Sequence, residues 1–492
     1  MSERIATSRF LNRFFYALVP ILSWLLITFP LWFSPFHPAV VAYFIIAFDL
    51  YFFYKSLQTI FRAVISYKKT LAHIKINYTA KLKKAGKDKL VSHFVIIPNF
   101  KEPVYKLEST INSLVKNDYP GKNIYLVLAC EERENDIKNK ARALTAKFTN
   151  KFADVIRVYH PLLPHEAPGK ASNQTYAAKI IDDYLNQHGI DPKSTLITIC
   201  DADSYLPKNY FSYLTYEFLR DTGRQHHFYC APVLLYNNFW KLPFFVRMQA
   251  TLSSIVRLSL LEYKENLIQI STYSTNFWLL KQLNFWDVDI IPEDWHIYLQ
   301  AFFRFGKLVR AIPLYTIING DAVYSGNFLR TSANRYEQEK RWAWGVSDIG
   351  YSLKSFFSSP NIDPVLKIRK ILYLMETHLM WPTSFFILTV SASIPPLVNP
   401  VFKRTVLGFL LPQLSGLILT SASLMIIIYV YLDIKLRQRV HQKTNVYALP
   451  LLLIQWYLLP LVSFLFSSLP ALDAHTRILL GKKMQYKVTE KL

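Results

Sequence analysis

The sequence predicts an α/β domain with a largely parallel sheet, inserted between membrane helices at the two ends of the chain. Two observations carry this. Apolar residues make up 51% of the 492 residues while charged residues keep 18%, so the apolar content must be concentrated in blocks, and the blocks stand at both ends. Between them, from His93 to about Gly350, short β-rich runs alternate with helical stretches, the pattern of strands joined by crossover helices.

At the N-terminal end, Leu11–Phe33 and Ala39–Tyr54 are nearly continuous apolar runs, and a span needs about 20 such residues. We expect two membrane helices within residues 1–62. A signal peptide does not fit, because the first run is too long, lacks a small-residue cleavage site and leads directly into a second run. Arg4, Arg9 and Arg13 precede the first run, the connection Ser34–Pro38 has no Lys or Arg, and a basic linker at 63–89 follows with Lys68, Lys69, Lys75, Lys81, Lys83, Lys84, Lys87 and Lys89. The positive-inside rule then puts the N terminus and the middle of the chain in the cytoplasm, as expected of a multi-pass protein of the plasma (inner) membrane.

The formal charge of +23 would suit nucleic acid, an anionic membrane or an anionic substrate. Because the lysines cluster beside apolar blocks, membrane lipids are the expected partner and nucleic acid is not. The three cysteines, Cys130, Cys200 and Cys230, lack C-x-x-C spacing and read as buried thiols in a reducing compartment.

Within the domain expected at 90–350, strands are predicted at His93–Ile97, Ile124–Ala129, Val155–Tyr159 and Leu196–Cys200, with helices near Lys106–Lys116, Asp136–Phe148 and Ala171–Gln187. Ligands of such a sheet sit at the carboxyl ends of its strands. An amphipathic segment near 241–263, with Arg247 and Arg257 among apolar residues, suits a membrane-surface helix or an ordinary core helix, and 351–378 has a similar texture around Lys367–His378. Three membrane candidates follow within 379–470, at Leu379–Leu397, Thr405–Leu432 and Val446–Pro470. Three spans would leave the basic tail at 471–492 outside, yet Arg477, Lys482, Lys483, Lys487 and Lys491 favour the inside, so the last segment, with Pro450 and Pro460, either crosses or re-enters.

Three segments carry chemistry. Leu196-Ile-Thr-Ile-Cys-Asp-Ala-Asp-Ser204 delivers Asp201 and Asp203 at a strand exit, where two carboxylates can hold a divalent cation that clamps a diphosphate; spacing alone leaves a solvated turn open. Pro292-Glu-Asp-Trp-His296 sets Glu293 and Asp294 among Ile290, Ile291 and Trp295, and partial desolvation raises the proton affinity a general base requires; a helix-start acid pair is the alternative. Gln338-Glu-Lys-Arg-Trp342 puts Arg341, whose planar fork suits a diphosphate, beside Trp342, whose face suits a sugar ring; a basic helix at a membrane surface is the alternative there.

The order D-x-D, E-D, Q-x-x-R-W on an α/β domain flanked by membrane helices resembles the family-2 membrane glycosyltransferases that include cellulose and hyaluronan synthases. The resemblance covers roughly 90–350. It implies a GT-A-type, Rossmann-like nucleotide-diphospho-sugar transferase domain and a metal-dependent, inverting transfer. His93-Phe-Val-Ile-Ile-Pro98 with Asn99-Phe-Lys-Glu102 is similar to the family's first strand and P-x-Y-N-E turn, with Phe100 for the tyrosine and Lys101 for the asparagine, so Pro98 and Glu102 are expected at the donor. The family's second-strand aspartate, which meets uracil, falls at Glu131 or Glu132, and the segment Pro168-Gly-Lys-Ala-Ser-Asn173 offers Lys170 to phosphate. By the same resemblance Asp201 and Asp203 match the site for Mg2+ or Mn2+ and the diphosphate, Asp294 the catalytic base with Glu293 in support, Gln338 and Arg341 the donor-closing helix, and Trp342 and Trp295 the acceptor side.

The expected reaction is transfer from a UDP-sugar to a growing polysaccharide, with processive synthesis and export as its extension. Single transfer to a lipid acceptor is the alternative within this chemistry, and a nucleotide-binding membrane transporter or scaffold the alternative outside it.

Overall fold

The computed structural model describes residues 9–86, 91–439, 449–482 and 484. Arg4, Lys87, Lys89, Lys483, Lys487 and Lys491, together with the start of the last apolar run at 446–448, lie outside the described residues.

The sheet is built on β1 (Ser92–Asn99), β2 (Ile124–Glu131), β3 (Asp154–His160) and β4 (Thr195–Ile199), all mutually parallel in the spatial order 3-2-1-4. After the short β5 (Ser204–Tyr205) come β6 (His227–Cys230), β7 (Val233–Leu234), β8 (Tyr273–Asn276), β9 (Arg310–Pro313) and β10 (Ile318–Gly320). The main sheet runs 3-2-1-4-8-6-9, and β8 alone opposes the rest; β5, β10 and β7 form a second, three-stranded sheet. Side-chain alternation feeds two cores. Phe94 and Ile96 join one apolar cluster with Ala177, Ile181 and Leu185, while Val95 and Ile97 join the other with Leu107, Ile111 and Leu114. Burial on both faces is why these strands read as continuous apolar runs.

The four parallel strands stand where the sequence predicts them, with ends shifted by a residue or two. The later strands were not legible. In β8, Ser274 meets Thr198 Oγ1 at 2.7 Å and Tyr210 Oη at 3.0 Å, and Thr275 donates to His227 O at 3.1 Å, so a polar ladder replaces the apolar run that marks a strand.

Among the helices, α1 (Arg9–Phe33) and α2 (Pro38–Ile74) open the chain. No Gly or Pro interrupts α2 beyond Tyr54, so the expected linker at 63–89 begins as helix. Within the domain lie α3 (Val104–Val115), α4 (Ile137–Phe148), α5 (Lys170–His188), α6 (Phe244–Leu260), α7 (Glu293–Phe305) and α8 (Phe328–Ala343). Towards the C terminus follow α9 (Ser347–Ser358), α10 (Pro364–Thr389), α11 (Val406–Ser423), α12 (Ile426–Arg439) and α13 (Leu469–Leu479).

The amphipathic segment near 241–263 becomes α6, which packs against α2 and α12, with Thr251 Oγ1 donating to Asp433 at 2.8 Å. The segment 351–378 divides differently from the sequence expectation: α10 runs through His378 without a break. Its lysines do not face outward, since Lys367 donates to Phe356 O at 2.7 Å and Ser359 O at 2.9 Å, and Lys370 to Glu265 O at 3.0 Å. A cation on the last carbonyls of α9 satisfies groups the helix end leaves unpaired.

Among the described residues, four helical stretches are long and apolar enough to cross a membrane: Phe10–Phe33, Pro38–Ile74, Val406–Gln438 and Gln455–Leu479. Pro364–Thr389 and Ser391–Val398 make a fifth if their 46° bend is one broken span.

Candidate active site

The carboxyl ends of β1, β2 and β4 open on a cavity of about 1540 Å³ that also reaches α2, α6, α8, α10 and the last apolar helices. Asp201 and Asp203 follow β4 and line it, as do Glu293 and Asp294 at the start of α7. Register explains how they meet. Ile199 pairs with Tyr273, so antiparallel β8 brings Ser271 and Thr272 to the same sheet edge as Asp201.

Lys170 opens α5 after Gly169, whose φ of +147° is accessible mainly to glycine. Its Nζ lies 2.8 Å from Asp201 Oδ1, 2.8 Å from Glu293 Oε1 and 3.2 Å from Ser271 O. Burial opposes this ammonium, but Asp201 and Glu293 outweigh it and hold the group well above the ordinary lysine range. Ser271 is the other junction. Its Oγ donates to Asp201 Oδ2 and its backbone N–H to Asp294 Oδ2 at 2.9 Å, from a left-handed backbone (φ +67°) that non-glycine residues adopt at a cost. Asp294 Oδ1 accepts from Trp295 N at 2.9 Å. Burial raises both Glu293 and Asp294 above the usual carboxylate range, with Lys170 pulling the other way.

At the end of β1, Pro98 and Glu102 line the cavity. Glu102 accepts from Phe100 N across the left-handed Lys101 (φ +66°), and burial pushes its carboxyl up to about 7. At the end of β2 the structure separates the two candidate glutamates. Glu131 is buried on the cavity wall and takes Arg133 Nε at 3.0 Å, while that guanidinium covers the Phe100 ring at 4.6 Å. Glu132 is corrected: it is exposed, 3.7 Å from Lys138, and off the cavity wall, because consecutive residues at a strand end point to opposite sides.

On α8, Gln338, Arg341 and Trp342 lie at i, i+3 and i+4, hence on one face, and all three line the cavity. Gln338 accepts from Arg335, and the Trp342 ring has the guanidinium of Arg335 at 5.0 Å and that of Arg257 at 5.4 Å. Trp295 lines the cavity one residue beyond Asp294.

Asp201 and Asp203 supply the hard oxygens that Mg2+ and Mn2+ take. Among the described residues no group of three or more His, Cys, Asp or Glu is placed to hold a metal, and Asp201 already meets Lys170 and Ser271.

Three wall features escaped the sequence reading. Arg257 carried a signal, a lone cation inside Ile255-Val-Arg-Leu258. Ser271 carried none, since nothing in Ile270-Ser-Thr-Tyr273 tells that its hydroxyl will meet Asp201. The Lys106–Asp321 pair, buried at 2.8 Å, joins residues 215 apart in sequence.

A family model described as glycosyl transferase family group 2 matches residues 196–469. Among solved structures, the mannosyltransferase PcManGT from Pyrobaculum calidifontis in complex with GDP-Man and Mn2+ is similar at 14% identity, covering 81% of this chain and 98% of its own, with a TM-score of 0.41. S. aureus TarS 1-349 in complex with UDP-GlcNAc is similar at 12% identity over 71% of this chain and 92% of its own, with a TM-score of 0.37. No curated protein matches the chain.

Proposed function

The chain belongs to glycosyl transferase family group 2, and from that premise we propose that it extends a polysaccharide from a UDP-sugar donor, by inverting transfer, at the cytoplasmic face of the plasma membrane. Its mostly parallel sheet is of the GT-A type. In this reading 90–350 is the catalytic domain, and the helices on either side hold it at the membrane.

Asp294 takes the proton of the acceptor hydroxyl while that oxygen attacks the anomeric carbon from the face opposite the nucleotide. The bond to the diphosphate breaks in the same step, and no enzyme-bound sugar forms. Lys170 and Arg341 stand on the cavity wall where negative charge on the leaving diphosphate would be met, and stabilisation that grows as the bond breaks is what accelerates the step. Mg2+ or Mn2+ held by Asp201 and Asp203 would add charge neutralisation at the diphosphate. Glu131, Glu102 and Pro98 form the donor's wall, and Trp295 and Trp342 offer faces to the acceptor.

The observation that carries the polymer reading is the room for a product longer than one sugar: the cavity that holds the carboxylates continues past Trp381 to Ser384, Leu388, Ser423 and Ser463, side chains of the candidate membrane helices. Purified protein given a panel of nucleotide-sugars, with products sized and analysed by mass spectrometry, tests this. A long homopolymer supports it, one sugar on a co-purified lipid replaces it with lipid glycosylation, and no donor consumption leaves a transporter or scaffold. The cytoplasmic placement fails if cysteines in 91–350 are labelled from outside intact cells as readily as one near His37.

A further inference from the structure

His378 lies on α10 and lines the cavity with Trp295, Gly345 and Trp381. It is 3% exposed. Trp295 meets the ring edge-on, with centroids 6.0 Å apart at 81°, and Trp381 lies nearly parallel at 6.2 Å and 28°. Nδ1 is buried without a hydrogen-bond partner among the described residues. A bare ring nitrogen left unpaired costs less than an unpaired N–H, so the neutral tautomer suited to this burial carries its proton on Nε2.

Gly345 leaves that edge open. A Cβ at 345 would stand 3.4 Å from His378 Cε1 and 3.5 Å from Nε2, at the cavity wall, and Gly345 itself lines the cavity. The ring's one donor therefore sits beside a residue with no side chain to cover it, in contact with Trp295, the neighbour of Asp294.

We propose that His378 is an acceptor-binding residue whose Nε2–H donates to an oxygen of the sugar that Asp294 deprotonates, and that Gly345 keeps this edge accessible. The chemistry that fits is a pyranose: its C–H faces suit Trp295 and Trp381, while the imidazole supplies the directional contact that orients the hydroxyl. The inference rests on the glycosyltransferase reading and adds to it the group that holds the acceptor.

The test uses the full chain in detergent, with cellobiose, chitobiose and mannobiose supplied separately as acceptors and transfer measured against acceptor and donor concentration. His378→Phe should raise the acceptor KM about five- to tenfold, the equivalent of one hydrogen bond, with donor KM unchanged. His378→Gln, whose amide reaches the Nε2 position, should stay within about twofold of the wild type, on that same scale of one bond kept. Gly345→Ala should mimic His378→Phe. An unchanged acceptor KM in His378→Phe, or a Gln variant as impaired as the Phe one, overturns the proposal. If His378→Phe does not fold, Gly345→Ala decides: a raised acceptor KM supports it and an unchanged one overturns it. A wild-type protein that consumes no nucleotide-sugar donor fails the underlying reading, a result visible before any variant is made.

Discussion

Glu293 and Asp294 are neighbours in the chain but are held by different forces. Glu293 is bound to Lys170 at 2.8 Å, whereas both oxygens of Asp294 accept backbone N–H groups, from Ser271 and Trp295. A carboxylate fixed by neutral donors remains the stronger base, so Asp294→Asn should lower transfer by about 100- to 10,000-fold while donor affinity, measured by calorimetry, stays at the wild-type level. A variant keeping more than roughly a tenth of the rate would move the base to Glu293, since general-base catalysis is worth more than that. Asp203→Asn should instead remove the dependence of donor affinity on Mg2+ or Mn2+; donor binding that responds to chelator as in the wild type would exclude Asp203 from the cation site. These acids were legible because paired charges in apolar settings are conspicuous in a sequence. Ser271, which joins Asp201 to Asp294, was not, because its role depends on a left-handed backbone and on β8 lying beside β4.

The helix α7 carries those acids on its first turn and is anchored three residues later. His296 Nδ1 lies 2.7 Å from Asp348 on α9 and Nε2 lies 3.0 Å from Asp287, tying α7 to the helix that follows α8. Burial disfavours the charged ring, but Asp348 and Asp287 outweigh it and push its pKa up to about 9; burial also holds Asp348 above the ordinary carboxylate range, with the imidazolium restraining it. A raised histidine contributes stability that is fully present below its ordinary value of 6.5 and lost as the pH rises through about 9. Breaking a buried pair by removing one partner costs about 3–5 kcal/mol, so His296→Gln should melt well below the wild type at pH 6. The gap should narrow as the pH approaches 10, and a gap independent of pH would show that the ring is uncharged in the fold. The sequence marked the acids, with a helix start only as the alternative reading, and offered no reason to pair His296 with a residue 52 positions on. Apolar runs likewise marked β1 to β4, while the polar β8 depended on partners that local sequence does not name.

At the scale of the molecule, α10 joins the chemistry to the candidate membrane helices. Its Glu376 takes Lys55 of α2 at 2.5 Å and Tyr51 Oη at 2.7 Å, and the face that follows carries His378, Trp381 and Ser384 along the cavity. Ser384 stands six residues, or about 9 Å along the helix axis, beyond His378. If the elongating saccharide leaves along this face, an obstruction at Ser384 acts on a chain already longer than one sugar, not on the first bond made. Ser384→Trp should therefore shorten the mean product several-fold while the first sugar is still transferred, and Ser384→Ala should give wild-type lengths, because the hydroxyl only donates back to Met380 O in its own helix. Product length is read by gel filtration at matched donor consumption. If Ser384→Trp makes chains as long as the wild type, the saccharide does not pass along α10, and the wide cavity beyond Trp381 would have to serve something other than the product's exit.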